Sequence, residues 1–198
     1  MTATGDWLWT GGYDARQPLN NTRLYTESGW QNFTELPEAI GLHCQVYVEN
    51  KGVYVIGGYN DERSLDTTYE LTSSNEWSKL SSLNTRRHDH ACVEWEGGIL
   101  AIGGIGYSSV ERYDVVSNKW FSFTPLPEVL FYHQAIVWDG DVYVLGGRVV
   151  NHDINKVVYK LKKGSQTWEA VPGVSVDLGT DKRSIFPYLI TSNIHCNN

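Results

Sequence analysis

Four glycine pairs constrain this chain more than any other feature: Gly11-Gly12, Gly57-Gly58, Gly103-Gly104 and Gly146-Gly147 follow one another in steps of 46, 46 and 43 residues. Self-similarity at such a period belongs to stacked supersecondary units, each too small to bury its own apolar face. Every pair closes an apolar run, "WLWTGG", "VYVIGG", "ILAIGG" and "VYVLGG", and is followed by a polar stretch, a Tyr and a Trp. The stretch from His90 to Leu126 reads most fully. "HACVEW", the turn "EGG" and "ILAIGG" form a tight hairpin; after the loop "IGYSSV" come "ERYDV", the turn "VSNK" and "WFSFTPL", ended by a proline. This gives four antiparallel strands, A to D, and the neighbouring units repeat them. No stretch sustains a 3.6-residue apolar period, so an all-β chain is expected.

The glycine pair ending strand B, the Tyr of strand C (Tyr25, Tyr69, Tyr113, Tyr159) and the Trp opening strand D (Trp30, Trp77, Trp120, Trp168) resemble the kelch repeat over about residues 7–173. The resemblance implies a kelch-type β-propeller of about four blades, each a four-stranded antiparallel sheet. The whole of 1–198 is then one domain, with blade units at about 7–37, 41–84, 88–127 and 131–173. A lone blade exposes both faces, so the large aromatics are expected to bury between neighbouring blades.

The first unit begins at strand B and has no strand A of its own. A β-prone stretch, "SIFPYLITSN" at residues 184–193, stands where a ring-closing strand would lie, although Pro187 removes a ladder donor. Two architectures remain: a small closed ring, or an arc of a larger propeller.

A net charge of −7 and a pI near 5.3 exclude wrapping of a nucleic-acid backbone or binding to an anionic bilayer. The start lacks a basic segment followed by an apolar one, and the expected location is the cytoplasm. Asn20-Asn21-Thr22 and Asn32-Phe33-Thr34 match the glycosylation acceptor pattern, which keeps a secreted carbohydrate-binding propeller as an alternative. Cys44, Cys92 and Cys196 form no CxxC and are odd in number, so buried free thiols are expected.

His43, His90 and His133 recur at the start of strand A; packing is expected of them rather than metal binding, and no metal or cofactor is expected. Galactose-oxidase-like copper enzymes share the propeller type and are the enzymatic alternative, but no Cys here has an evident Tyr partner for their cross-link. No GxSxG or HExxH motif is present. The expected function is therefore non-catalytic protein or peptide binding. The resemblance implies that the loops joining B to C, and D to the next A, share one face. Those loops carry Arg16, Arg63, Arg86, Arg87, His88, Tyr107, Tyr132, Arg148 and His152 as candidate partner contacts. Guanidinium forks beside aromatic rings suit acidic segments. By family analogy alone, such modules serve as substrate receptors of cullin-type ubiquitin ligases or bind actin.

Overall fold

The computed structural model describes residues 6–175, which contain fifteen strands and no helix. Blade 1 is a three-stranded sheet of β1 (Trp7–Thr10), β2 (Thr22–Thr26) and β3 (Gly29–Asn32). Blade 2 has β4 (Cys44–Val48), β5 (Gly52–Ile56), β6 (Thr68–Leu71) and β7 (Trp77–Lys79). Blade 3 has β8 (Ala91–Trp95), β9 (Gly98–Ile102), β10 (Val110–Asp114) and β11 (Lys119–Phe123). Blade 4 has β12 (Gln134–Trp138), β13 (Asp141–Leu145), β14 (Val157–Leu161) and β15 (Trp168–Ser175). Each sheet is an antiparallel meander in chain order, and among the described residues the first has no strand A. The expected closing strand at 184–193 lies outside the described residues.

The second strands of blades 2 and 3 are continuously apolar because both of their faces are covered. Three seams hold the blades together. Leu8, Leu24 and Phe33 meet Val53, Leu71 and Trp77 in the first. Cys44, Val48, Tyr54 and Ile56 meet Ile99, Ala101, Tyr113 and Trp120 in the second. Val93, Trp95, Leu100 and Ile102 meet Val142, Val144, Leu161 and Trp168 in the third. At every seam the strand D indole N–H donates to a carbonyl of the preceding blade: Trp77 to Thr34 (2.9 Å), Trp120 to Ser81 (3.1 Å) and Trp168 to Thr124 (3.0 Å). None of these apolar clusters joins blade 4 to blade 1, so the described blades form an arc.

The repeated tyrosines differ in register, and one sequence expectation, that of free thiols, needs correction. The four tyrosines occupy two registers: Tyr69 and Tyr159 lie opposite Val55 and Val144, whereas Tyr25 and Tyr113 lie opposite Trp7 and Ile99, two residues further along the ladder. A shift of two leaves the side chain on the same face, so either register serves the seam. Cys44 and Cys92 are not free thiols. They form a disulfide, with Cα atoms 5.9 Å apart across 48 residues of chain. Their positions in β4 and β8 are brought together because the inner strands of successive blades lie side by side.

The glycine pair of blade 2 shows why that position tolerates no side chain. Gly57 and Gly58 have φ of 60° and 108°, and a Cβ on Gly57 would stand 2.6 Å from the Arg87 carbonyl and 2.9 Å from the His90 ring. A Cβ on Gly58 would stand 2.4 Å from Ile40. The pair is the floor on which the next blade's histidine rests.

Candidate partner-binding face

The B–C and D–A loops do share one face, tied together by backbone bonds. Tyr59 bridges Gly41, Phe131 bridges Arg148, and the Ile105 N–H donates to the His88 carbonyl at 3.2 Å. At the inner end of each D–A loop one residue takes a left-handed conformation: Leu42, Asp89 and Tyr132, with φ of 54°, 53° and 56°. The Tyr132 N–H donates to the Asp89 carbonyl and the Asp89 N–H to the Leu42 carbonyl, each at 3.0 Å. These bonds run from blade to blade and fix the loops into a rigid inner rim.

The residue after each of these is a histidine. His90 and His133 rest their rings on Gly57 and Gly103, and the His43 ring lies against Gly11. Burial lowers His43 and His133 to about 4 and His90 well below its ordinary value, so all three are neutral near pH 7. The Thr10 hydroxyl donates to Gln45 Oε1 (2.6 Å) and so accepts from His43 Nε2 (2.9 Å), while Gln45 Nε2 donates to the Leu8 carbonyl (3.0 Å). In this way His43 and Gln45 of blade 2 are bonded to β1 of blade 1. Among the described residues no group of three or more His, Cys, Asp or Glu is arranged to hold a metal ion.

Outside that rim a row of side chains crosses the blades. The Tyr13 hydroxyl of blade 1 donates to Asp61 of blade 2 (3.0 Å), and the Tyr59 ring packs on His88 (centroids 5.2 Å apart). Ser64 Oγ lies 2.8 Å from His88 Nδ1, and His88 Nε2 lies 3.6 Å from Asp89 Oδ2. Beyond Asp89 stand Tyr132, Phe131 and His152, in ring contact in that order through Phe131. Burial raises the Asp89 carboxyl to about 7, partly offset by a hydrogen bond from Tyr132, and burial also lowers His88.

Ser64, His88 and Asp89 are the residue types of a nucleophilic triad, but their electrostatics oppose that use. The carboxyl is a weak anion near pH 7, its 3.6 Å distance is beyond hydrogen-bond reach, and burial disfavours the imidazolium it would have to stabilise.

The candidate contacts separate into three groups. Arg16 and Arg63 are exposed, in corresponding loops of adjacent blades, and neither guanidinium has a partner among the described residues. Arg86 pairs with Asp66 at 3.4 Å while remaining half exposed, and Arg148 is folded onto the His152 carbonyl (2.5 Å). His88 and Tyr132 are half-buried members of the row, and Tyr107 and His152 are exposed.

Arg87 is the correction. It is fully buried and bonded to the carbonyls of Gly103 (2.7 Å) and Ser109 (2.9 Å) and to Glu111 (2.7 Å), so it fastens blade 2 to blade 3 and offers nothing to a partner. Its neighbour Arg86 points out, and no single-residue property separates the two. The same face carries Tyr13, Tyr59, Asp61, Ser64, Asp89 and Phe131, which the sequence does not single out as contacts. A signal for the first two was available: both follow a glycine pair directly, in "GGY".

The Kelch motif matches residues 50–84 and 86–127, which are blades 2 and 3. Alpha-scruin of Limulus polyphemus is 32% identical over 133 residues, covering 57% of this chain and 14% of that protein. The solved structure of YjhT superposes with a TM-score of 0.67 at 13% identity, over 78% of this chain and 52% of the other. The chain thus spans about a seventh of the scruin and about half of YjhT. No helix among the described residues is long and apolar enough to cross a membrane.

Proposed function

We propose, from the Kelch motif that blades 2 and 3 match, that the loop face of this chain is a non-catalytic docking site for a partner protein, holding an extended acidic segment. One observation carries the reading: Arg16 and Arg63, without a guanidinium partner among the described residues, stand on adjacent blades in the loops that carry Tyr13 and Tyr59. A carboxylate or phosphate laid between them would gain paired charge-assisted hydrogen bonds, with the rings supplying apolar area at small entropic cost. Arg86 and Arg148, held by weak local partners, can swing to the same ligand. The cytoplasmic location is proposed with it.

The test is selection from a displayed random-peptide library. Acidic peptides should be enriched, their binding should weaken with salt, and Arg16→Ala with Arg63→Ala should reduce it by roughly tenfold or more per arginine. Enrichment of basic or neutral peptides, or acidic peptides that bind the double variant unchanged, would remove the proposed site.

A further inference from the structure

The two ends of the arc are opposite halves of a seam that the molecule already makes three times. Four and two residues before each glycine pair, strand B faces the preceding blade. Val53 and Val55, Ile99 and Ala101, and Val142 and Val144 are buried there, Val55 to 0% exposure. In blade 1 these positions are Trp7 and Trp9, each 61% exposed, flanked on the same face by Tyr25 and Trp30. The other face of each blade turns toward the next one. The last residue of strand A is Val48 in blade 2 and Trp95 in blade 3, the latter 3% exposed; in blade 4 it is Trp138, 64% exposed. Ile136, Tyr143 and Leu145 beside it are only half-buried, whereas Leu100 and Ile102 of blade 3 are fully buried.

Repeat proteins that end in solvent carry polar outer faces on their terminal repeats. Here three tryptophans and a tyrosine form one end, and Trp138 with aliphatic neighbours forms the other. Beside Trp9, Trp30, Leu19 and Arg23 lies a hollow of about 410 Å³, roomy enough for an aromatic side chain. Apolar ends of this kind mark an interface. The chain itself carries the matching surface, because the blade 4 end is the same element that covers each of the other backward faces.

We propose that two copies of this chain join head to tail, the blade 4 end of each covering the blade 1 end of the other. The contact is heterologous, and two four-bladed arcs close it into an eight-bladed ring, within the range that propellers adopt. Trp138 of one copy then meets Trp9 and Trp30 of its partner copy.

Light scattering on the full chain across about 1–50 μM tests this directly. The wild type should have twice the 22.4 kDa chain mass. Trp9→Glu and Trp138→Glu alter exposed side chains, so circular dichroism should be unchanged, and each variant alone should be monomeric where the wild type is a dimer. Mixed, they should recover a 1:1 pair, because the intact end of each meets the intact end of the other. That recovery also shows that both variants are folded. A wild-type monomer throughout the range overturns the proposal and leaves the ends to residues 176–198 or to solvent. Open polymers overturn the closed ring. A single variant that still dimerises, or a mixture that does not, overturns the head-to-tail contact.

Discussion

At the seam between blades 3 and 4, the residue three positions before the histidine is Leu130; at the seam between blades 2 and 3 it is Arg87, and at the first seam Ile40. All three are fully buried. An arginine is tolerated in an aliphatic slot because the opposing residue changes too. Tyr69 and Tyr159, in equivalent ladder positions, donate their hydroxyls to Glu38 and Glu128 of the adjoining loops. Glu111 holds that ladder position in blade 3. It takes the Arg87 guanidinium at 2.7 Å and accepts from the N–H groups of Asn84 (2.7 Å) and Thr85 (3.0 Å). Two seams therefore close with a hydroxyl-to-carboxylate bond over apolar filling, and one with a buried ion pair. A repeat fixes which backbone positions meet, while each meeting remains free to use different chemistry. Leucine or isoleucine, as in the other two seams, would leave the Glu111 carboxylate without its counter-ion, so the ion pair distinguishes this seam from its neighbours, a specificity role such pairs fill in some proteins.

The sharpest way to break this comparison is to orphan the charge. Glu111→Ala should cost about 3–5 kcal/mol, because the guanidinium stays buried without its counter-ion. Arg87→Leu combined with Glu111→Gln, which imports the Leu130 solution and keeps an acceptor for Asn84 and Thr85, should cost much less. Urea denaturation of both variants decides, and equal losses would mean that the pair is not the seam's distinguishing element.

Trp120→Ala should cost about 3–5 kcal/mol through cavity formation. Trp30→Ala, at the same motif position on the open end, should cost below about 1 kcal/mol when both are measured in the monomeric Trp138→Glu background. Comparable losses would show that blade 1 is packed as its successors are.

The disulfide belongs to the second seam alone. Cys44→Ala with Cys92→Ala should lower stability by about 2–4 kcal/mol relative to the oxidised protein, and a reducing agent should shift only the wild type. In a reducing cytosol this seam would rest on its ion pair and apolar contacts. Identical melting with and without reductant would take the bond out of the comparison.

The smallest effect concerns pH. The Asp89 pKa of about 7 lies above its ordinary 3.8, so its contribution is full below 3.8 and is lost as pH rises through 7. His43 and His133, at about 4 against 6.5, act oppositely: their contribution is full above 6.5 and is lost as pH falls toward 4. Asp89→Asn, which suits the left-handed backbone, should stabilise the protein by about 1–2 kcal/mol at pH 8 and by almost nothing at pH 4. Thermal melts at the two pH values check it; the same gain at both would point to backbone preference alone.

The blades were legible because their cause is local. Gly-Gly after an apolar run, a hairpin turn and a Trp opening strand D each act through a few neighbouring residues. The face carrying Arg16 and Arg63 was also legible, since it follows from which strands the loops connect. The roles of Arg86 and Arg87 were not. They are adjacent and identical, and only the path of the D–A loop between Leu65 and Gly103 turns one guanidinium to solvent and the other inward.

The sequence by itself determined the fourfold repeat and the strand order within each unit, because period and turn chemistry act along the chain. The tertiary structure alone decided what each seam position meets: Cys44 meets Cys92, Arg87 meets Glu111, Tyr69 and Tyr113 fall in different registers, and Trp9 and Trp138 meet no other blade within the described arc. Those outcomes depend on side chains separated by a whole unit of sequence, and on whether another blade stands beside them. A residue's own neighbours in the chain carry no record of either.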